Sequence, residues 1–347
     1  MLRHWEHVPR LLFPLSLVVL AASCNWVALA KNALTYRDTA RGEAGNLATV
    51  DSVLYASLAE DGLAVLDART GIKVAALPPP AGSESVDDVA VADGLLFLLD
   101  ARPPGHLAVY SVRDPLRPRL VSPPHSVPVG PFSGVSARAG VVVVSGGTSD
   151  LTVWRYDSAG GVLDAVTTAD FGRGQPDVLL GPDGRLAFVA THYWGPYFGL
   201  DVARYDASRG RLDLLAELEL QGAGFTAGGA RPANFPIEAA LLGSDTLLVA
   251  YARGVAVIDV TAPTRPRLLK TVDVGGPAVN VDALGPWALV AIAGPHPALV
   301  FLDFGTGRGA VARRVALPAG TFPAGVALTA THAAVALGDR GVLVVQR

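Results

Sequence analysis

The segment GVAVIDVTAPTRP at residues 254–266 joins an apolar run ending in Asp to a turn rich in Thr and Pro. A similar unit, GLAVLDARTG, occupies residues 62–71, and HLAVYSVRDPLRP occupies residues 106–118. Shorter copies of the unit occur at residues 151–157, 201–206, 298–303 and 341–346. The copies recur about every 40–50 residues, which is the period of one blade of a β-propeller.

Further apolar runs flank each copy. Around residues 254–266, the run LLVAYA at 247–252 comes before the copy and a weaker run at 268–274 comes after it. In other units a further weak run precedes the upstream one, as at residues 89–92, 178–180 and 279–283. Four short strands per unit, separated by Gly and Pro turns, are typical of a four-stranded antiparallel blade. Because one blade cannot cover both of its faces, the blades must stack and close into a ring. The sequence therefore predicts an all-β, seven-bladed propeller.

The last unit begins near Thr321 and contains three predicted strands before Arg347. A four-stranded blade at this point needs one more strand from elsewhere in the chain. The segment ALTYRDTAR at residues 33–41 has the composition to supply it. We predict that one N-terminal strand closes the ring by pairing into the last blade.

Residues 1–30 have the features of a secretory signal peptide. Arg3 and Arg10 precede the apolar run LLFPLSLVVL at residues 11–20, and small residues up to Ala30 follow. A basic start, an apolar centre and an A-x-A end are the pattern that signal peptidase cleaves. We expect cleavage after Ala30.

Two alternatives to this cleavage remain open. The residues before Cys24 resemble a bacterial lipobox, so a lipoprotein signal would end before Cys24. An uncleaved apolar segment is just long enough to span a bilayer as an anchor. Each option leaves residues 31–347 as the propeller and places it outside the cytoplasm: periplasmic, secreted or anchored at the cell surface. We expect a monomer that meets the membrane only through its N-terminal signal or lipid.

Residues 254–266 resemble the LVIVD repeat of bacterial exported propellers, which follows a pattern like G-L-x-I-V-D-V-S-x-P-x-x-P. The upstream half of that repeat is similar to VDDVAVADGLLFLLD at residues 86–100. The likeness extends over about residues 45–347, is sharp in the units at 86–118 and 236–266, and lacks the D-V-S-x-P turn in those at 132–174 and 175–220. The resemblance implies a propeller at the cell surface or in the periplasm, and it implies no common reaction.

Composition and motifs argue against several classes of function. The formal net charge is -3, and no cluster of Lys and Arg suggests a nucleic-acid surface. The sequence contains no G-x-S-x-G, H-E-x-x-H or P-loop motif, so esterase, zincin and nucleotide chemistry lack support. These observations favour a non-catalytic protein over an enzyme.

Polar residues recur at one position of the aligned units, where the first strand of each blade begins. The aligned residues are Asn46, Asp88, Gly134, Asp177, Glu238, Asn280 and Gly325. Since first strands line the central channel of a propeller, these side chains are expected to face one axis. Converging oxygen ligands suit Ca²⁺ or a general base. The candidate metal ligands are Asp88, Asp177, Glu238 and Asn280, and the alternative is a water-filled channel whose polar residues anchor the strands.

A second group of residues maps to loops that emerge together on one face of a propeller. The run THYWGPYFG at residues 191–199 places four aromatic side chains in one such loop. Exposed aromatic loops commonly mark a ligand or partner site. The candidate binding residues are His125, His192, Tyr193, Trp194, Tyr197, Phe198, Arg231 and His296. The alternative is that these rings are local packing.

Two functions follow from these groups. The first is an exported, non-catalytic binding or scaffold propeller that engages a protein, a glycan or a small ligand through its loop face. The second is a metal-assisted, Ca²⁺-type hydrolase or lactonase with its site at the central channel. No cofactor other than a channel Ca²⁺ is expected.

Overall fold

The computed structural model describes nine ranges of the chain: residues 33–36, 45–129, 133–146, 150–157, 163–170, 174–192, 198–220, 238–306 and 309–347. The predicted signal, residues 1–30, lies outside them. Every element within these ranges is a β-strand. None of the described residues forms a helix that is long and apolar enough to cross a membrane.

The strands form seven four-stranded antiparallel sheets, which confirms the predicted number and kind of blades. Strand β1 (Ala33–Tyr36) precedes the first blade. Blade 1 contains β2 (Leu47–Val50), β3 (Val53–Ser57), β4 (Leu63–Asp67) and β5 (Lys73–Leu77). Blade 2 contains β6 (Asp88–Ala92), β7 (Leu95–Asp100), β8 (His106–Ser111) and β9 (Arg119–Ser126). Blade 3 contains β10 (Val135–Arg138), β11 (Val141–Ser145), β12 (Asp150–Tyr156) and β13 (Leu163–Asp170).

The remaining blades repeat this order. Blade 4 contains β14 (Gly174–Leu180), β15 (Leu186–His192), β16 (Phe198–Asp206) and β17 (Arg211–Glu219). Blade 5 contains β18 (Ala239–Leu242), β19 (Thr246–Tyr251), β20 (Gly254–Asp259) and β21 (Arg267–Val272). Blade 6 contains β22 (Ala278–Leu284), β23 (Trp287–Ile292), β24 (Ala298–Asp303) and β25 (Ala310–Ala316). Blade 7 contains β26 (Gly325–Leu328), β27 (His332–Ala336) and β28 (Val342–Gln346).

Strand β1 pairs antiparallel with β28, with Ala33 opposite Val345 and Tyr36 opposite Val342. Blade 7 thus has three strands from the end of the chain and its fourth from the N-terminal segment. The strand covers the first four residues of the segment predicted to close the ring, 33–41.

The core consists of separate layers, one between each pair of neighbouring blades. The second strand β7 is buried along its whole length because blades cover it on both sides. Its residues alternate: Leu96 and Leu98 pack towards blade 1, whereas Leu95, Phe97 and Leu99 pack towards blade 3. The apolar runs in the sequence are continuous for this reason, since neither face of the inner strands meets water.

The start of each first strand defines one face of the ring, which we call the upper face. In blade 2, Asp88 at the start of β6 lies opposite Leu99, and the neighbouring Asp100 lies opposite His106. The connection from second to third strand therefore emerges at the same end as the start of the first strand. The turns between first and second strands, such as the one at Asp93 and Gly94, lie on the opposite, lower face.

Candidate functional site

A cavity of about 710 Å³ follows the axis of the ring. Five of the seven aligned positions line it: the polar residues Asn46, Asp88, Asp177 and Glu238, which the sequence predicts at the axis, and Gly134. Asn280 is fully buried. Asp282, which the alignment did not select, also lines the cavity.

Asp88 joins three blades at this axis. Its Oδ2 accepts the N–H of Val135 in blade 3 at 2.7 Å. Its Oδ1 accepts the side-chain amide of Asn46, just before blade 1, at 2.8 Å and its neighbour Val89 N–H at 2.7 Å. One carboxylate therefore satisfies three donors, and two of these bonds cross a blade boundary.

The same contact recurs around the ring. Asp177 accepts the N–H of Ala239 from the next blade at 3.1 Å. Asn280 accepts the N–H of Val326 at 3.2 Å and donates to the carbonyl of Ala324 at 3.0 Å. In each case, a side chain of one first strand bonds the first strand of the following blade. We call these contacts axial clamps.

Two seams carry a further clamp one step along the strands. The Leu180 N–H donates to Ser136 Oγ at 3.0 Å, and the Leu328 N–H donates to Asp282 Oδ2 at 2.7 Å. Ser136 and Asp282 stand two residues after Gly134 and Asn280, so strand alternation puts them on the same face. The two-residue spacing is the sequence signal that would have found Asp282.

The channel carboxylates hold their protons unusually well. Burial raises the pKa of Asp88 to about 7, with a further contribution from the charge of Asp177. Burial also raises the pKa values of Asp177 and Asp282 to about 6. The pKa of Glu238 is raised well above its usual range by burial and then by the charges of Asp177 and Asp88. Arg138 is the one basic side chain among the described residues that line the cavity.

These pKa values predict that the fold is more stable in acid than at mildly alkaline pH. The folded state keeps protons on these carboxyl groups that an unfolded chain releases near pH 4. The raised pKa values therefore stabilise the fold fully below that pH. This stabilisation is lost as the pH rises through about 6 to 7, where the folded carboxylates ionise. We expect the Tm in EDTA to fall by roughly 5 °C between pH 5 and pH 8. Differential scanning fluorimetry would measure it, and a Tm that rises over this interval would refute the assignment.

Metal ligation at the channel stays a prediction. Within the described ranges, no group of three or more His, Cys, Asp and Glu side chains has an arrangement that could hold a metal ion. Asp88 and Asp177 already accept backbone N–H groups through the axial clamps. The arrangement can bind the blades together, and it gives the axis an acidic character.

The aromatic segment begins and ends at the upper face. His192 is the last residue of β15, Phe198 is the first of β16, and the two lie opposite each other. Gly174, at the start of β14, pairs with His192 and places this end at the upper face. The strands thus extend further into residues 191–199 than the sequence predicted, because His192 and Phe198 continue the ladder. The candidates Tyr193, Trp194, Tyr197 and Arg231 lie outside the described residues.

The other two candidates lie in different surroundings. His296 is exposed in the upper connection between β23 and β24. His125 was predicted in a loop, but the structure places it within the outer strand β9, where it is half-buried. Its ring packs 5.9 Å from the ring of Trp154 in blade 3, and its Nε2 lies 2.8 Å from Ser122 Oγ. The prediction was wrong in location because Pro123 and Pro124 resemble a turn but sit on an edge strand, where Pro is tolerated.

Comparison with known proteins identifies the fold and no family. No protein-family model matches the chain, and no curated protein matches it. The structure of U3-55K is similar, with a TM-score of 0.63 and 12% identity over 92% of this chain and 99% of that one. The computationally designed Ika8 protein has a TM-score of 0.57 and 12% identity, covering 90% of this chain and 86% of that one. At such identities the likeness shows the β-propeller fold alone, because one fold hosts many unrelated functions.

Proposed function

We propose that this chain is an exported, non-catalytic binding propeller that engages its ligand at the upper face. The observation that carries the proposal is the shared position of the candidate residues. The strand ends at His192 and Phe198, the exposed His296 and the mouth of the acidic channel belong to one face of the ring. A face built from connections on a rigid scaffold is the usual place for binding residues.

The axial clamps support a scaffold role over a catalytic one. Asp88 accepts three hydrogen bonds from protein donors, and Asp177 accepts the N–H of the next blade. Asp88 thus uses three of a carboxylate's roughly four acceptor sites to hold strands in place, which leaves little capacity for a substrate. The axial clamps therefore hold the blades that carry the upper connections in fixed positions.

Export and membership of the LVIVD-repeat group are parts of the same proposal. The signal-like residues 1–30, or a lipoprotein signal ending before Cys24, would deliver the propeller to the periplasm, the exterior or the cell surface. The resemblance of residues 254–266 to the LVIVD repeat agrees with that location. The partner is a protein, a glycan or a small ligand that presents apolar surface to the aromatic segment.

Replacing Trp194 by alanine is expected to weaken ligand binding by at least about tenfold, because buried aromatic anchors dominate binding energies. The measurement uses residues 31–347 on a glycan array and in a pull-down from cell-envelope extract. Biolayer interferometry then follows with each ligand retained. The control is Leu269→Ala, which removes an exposed apolar side chain (57%) from the outer strand β21. Equal affinities for wild type and Trp194→Ala would contradict the proposal.

The alternative is a metal-assisted hydrolase or lactonase at the channel, using Asp88, Asp177, Glu238 and Asn280. Its distinguishing result is calcium binding by the same protein in isothermal titration. Tight binding that Glu238→Gln abolishes would favour the enzyme, since an amide is a weaker cation ligand than a carboxylate. Retained ligand binding by a folded Glu238→Gln protein that takes up no calcium would favour the scaffold.

A further inference from the structure

The large apolar side chains that are exposed in the described part of the chain all lie towards the lower face. Third strands run from the upper face to the lower one, so the connections to the fourth strands lie low on the ring. Nine of the ten exposed side chains occupy these connections or the first halves of the fourth strands. The tenth, Leu284, is the last residue of β22, beside a lower turn. The upper halves of the same outer strands expose no large apolar side chain among the described residues.

Five of the nine lie on the neighbouring blades 1 and 2, and we call them the lower rim patch: Ile72, Val74, Leu116, Leu120 and Val121. They are between 40% and 64% exposed. The connection of blade 2 lies against blade 1, because the Tyr55 hydroxyl donates to the Pro115 carbonyl at 2.7 Å. Scattered exposed apolar residues are ordinary, whereas a group on one rim indicates an interaction surface.

The same position is apolar in later blades. The run RPRLV at residues 117–121 of blade 2 recurs as RPRLL at residues 265–269 of blade 5, where Leu268 and Leu269 are exposed. Leu214 of blade 4 and Val311 of blade 6 are the remaining two. The lower rim patch is therefore the densest part of an apolar rim around the ring.

Positive charge accompanies the apolar side chains in blade 2. Residues 113–121 contain three exposed arginines, Arg113, Arg117 and Arg119, and a single acidic residue, Asp114. These arginines form no ion pair with the described residues. In blade 5, by contrast, Arg267 is paired with Asp259. Leucine and arginine side chains mixed on one surface suit the boundary of an anionic bilayer, where apolar groups and lipid phosphates meet.

The chain enters the ring at this same face. Ala33 begins β1 and lies opposite Val345, near the lower end of β28, the third strand of blade 7. Blade 7 adjoins blade 1, which carries part of the lower rim patch. The residues before Ala33, with the apolar run at 11–20, therefore join the ring at the lower face. An anchor in that run, or a lipid on Cys24, would hold the lower face towards a membrane.

We propose that the lower rim patch, with the three arginines of residues 113–121, docks on a bilayer that contains anionic lipid. The apolar side chains enter the boundary between head groups and acyl chains, and the arginines bind lipid phosphates. This contact adds to the N-terminal signal or lipid, because one weak membrane signal becomes stable when a second joins it. It turns the upper face away from the membrane. The docking does not depend on a ligand at the upper face, so either proposal can fail alone.

Sedimentation with vesicles tests the docking. Residues 31–347 contain every described strand and omit the apolar run at 11–20. This protein should sediment with vesicles of phosphatidylcholine and phosphatidylglycerol, remain in solution with phosphatidylcholine alone, and be released by salt. Replacing the three arginines by glutamine should weaken the binding at least roughly tenfold. Leu116→Asn combined with Leu120→Asn should have an effect of similar size, because both side chains are exposed and the fold does not need them.

A matched control removes three arginines from the upper face. Arg102, Arg253 and Arg340 lie in connections between second and third strands, and their replacement by glutamine changes the net charge equally. This variant should bind vesicles as the wild type does. An equal loss in both triple variants would overturn the proposal, because it would show an effect of net charge alone. A wild type that ignores anionic vesicles would also overturn it, as would self-association that the double leucine variant abolishes, since the patch would then hold a second copy.

Hydrogen exchange extends the test to the full-length chain. Its apolar run at 11–20 would anchor it to both kinds of vesicle, so a difference between them reports on the rim. Amides of residues 113–121 should exchange several-fold more slowly on the vesicles with phosphatidylglycerol. Equal exchange on both kinds would show that the rim stays in water, and the proposal would be wrong.

Discussion

Replacing Asp88 by alanine is expected to lower the free energy of unfolding by about 3 kcal/mol, since it leaves three donors without their acceptor. Those donors are the N–H groups of Val135 and Val89 and the amide of Asn46. Val135 is 7% exposed and Val89 is 6% exposed, so water replaces the lost bonds poorly. Chemical denaturation followed by tryptophan fluorescence measures the change.

Two variants calibrate this loss. Asp88→Asn keeps an oxygen for Val135 but turns an amide towards Asn46, so a smaller loss of about 1 kcal/mol is expected. Asp245→Ala removes an exposed carboxylate from a turn of blade 5 and should stay within about 0.5 kcal/mol of the wild type. If Asp88→Ala were as stable as Asp245→Ala, the axial clamp would contribute nothing to the ring.

Replacing Gly325 by alanine is expected to destabilise the protein by about 3 kcal/mol, because it separates the blades at which the ring closes. The new Cβ would lie 2.6 Å from the carbonyl oxygen of Gly45 and 3.0 Å from Cα of Asn46. Both contacts are with the backbone, which cannot move aside as a flexible side chain can. The same shift would lengthen the bond from the Val326 N–H to Asn280.

A second glycine of blade 7 provides the control. Gly338 has a φ of +60° and no atom within 4 Å of an added Cβ. Alanine there meets only the cost of a left-handed conformation, about 1 kcal/mol. The loss of stability in each variant is measured by thermal and denaturant unfolding. The loss in Gly338→Ala gives the cost of backbone strain, and the loss in Gly325→Ala gives the cost of the inter-blade clash. A Gly325→Ala protein no less stable than Gly338→Ala would show that blades 7 and 1 can part without penalty.

The sequence predicted the architecture well because the inner strands are apolar on both faces. The run at 95–100 coincides with β7, and the run at 247–252 is displaced by a single residue from β19 (Thr246–Tyr251). A strand buried on both sides is apolar along most of its length, so the apolar run in the sequence closely matches the strand. The closing strand β1 was predictable from the count of strands in blade 7.

The axial positions were predictable in place, but the bonds that they make were not. Alignment put Asp88, Asp177 and Glu238 at the axis, yet it could not show that Asp88 bonds Val135, since that bond depends on how two blades are spaced. Asp282 was missed because the alignment considered one position in each first strand. Strand β22 has a second position on the same face, two residues after Asn280, and Asp282 occupies it. His125 was misplaced because a Pro-Pro pair on an edge strand has the composition of a turn.

The pairing of β1 with β28 completes blade 7, so the repeats form a closed ring. A linear array of repeats can gain or lose a unit at either end and needs capping units to protect its exposed core. In this chain both terminal segments meet in blade 7, so every blade has two neighbours and no unit is terminal. An eighth copy of the repeat would have to alter the angle at every seam at once. The number of blades is therefore fixed by the closed ring as a whole. A different number requires the ring to close again with new angles between all blades, and one more repeat cannot simply be added at an end.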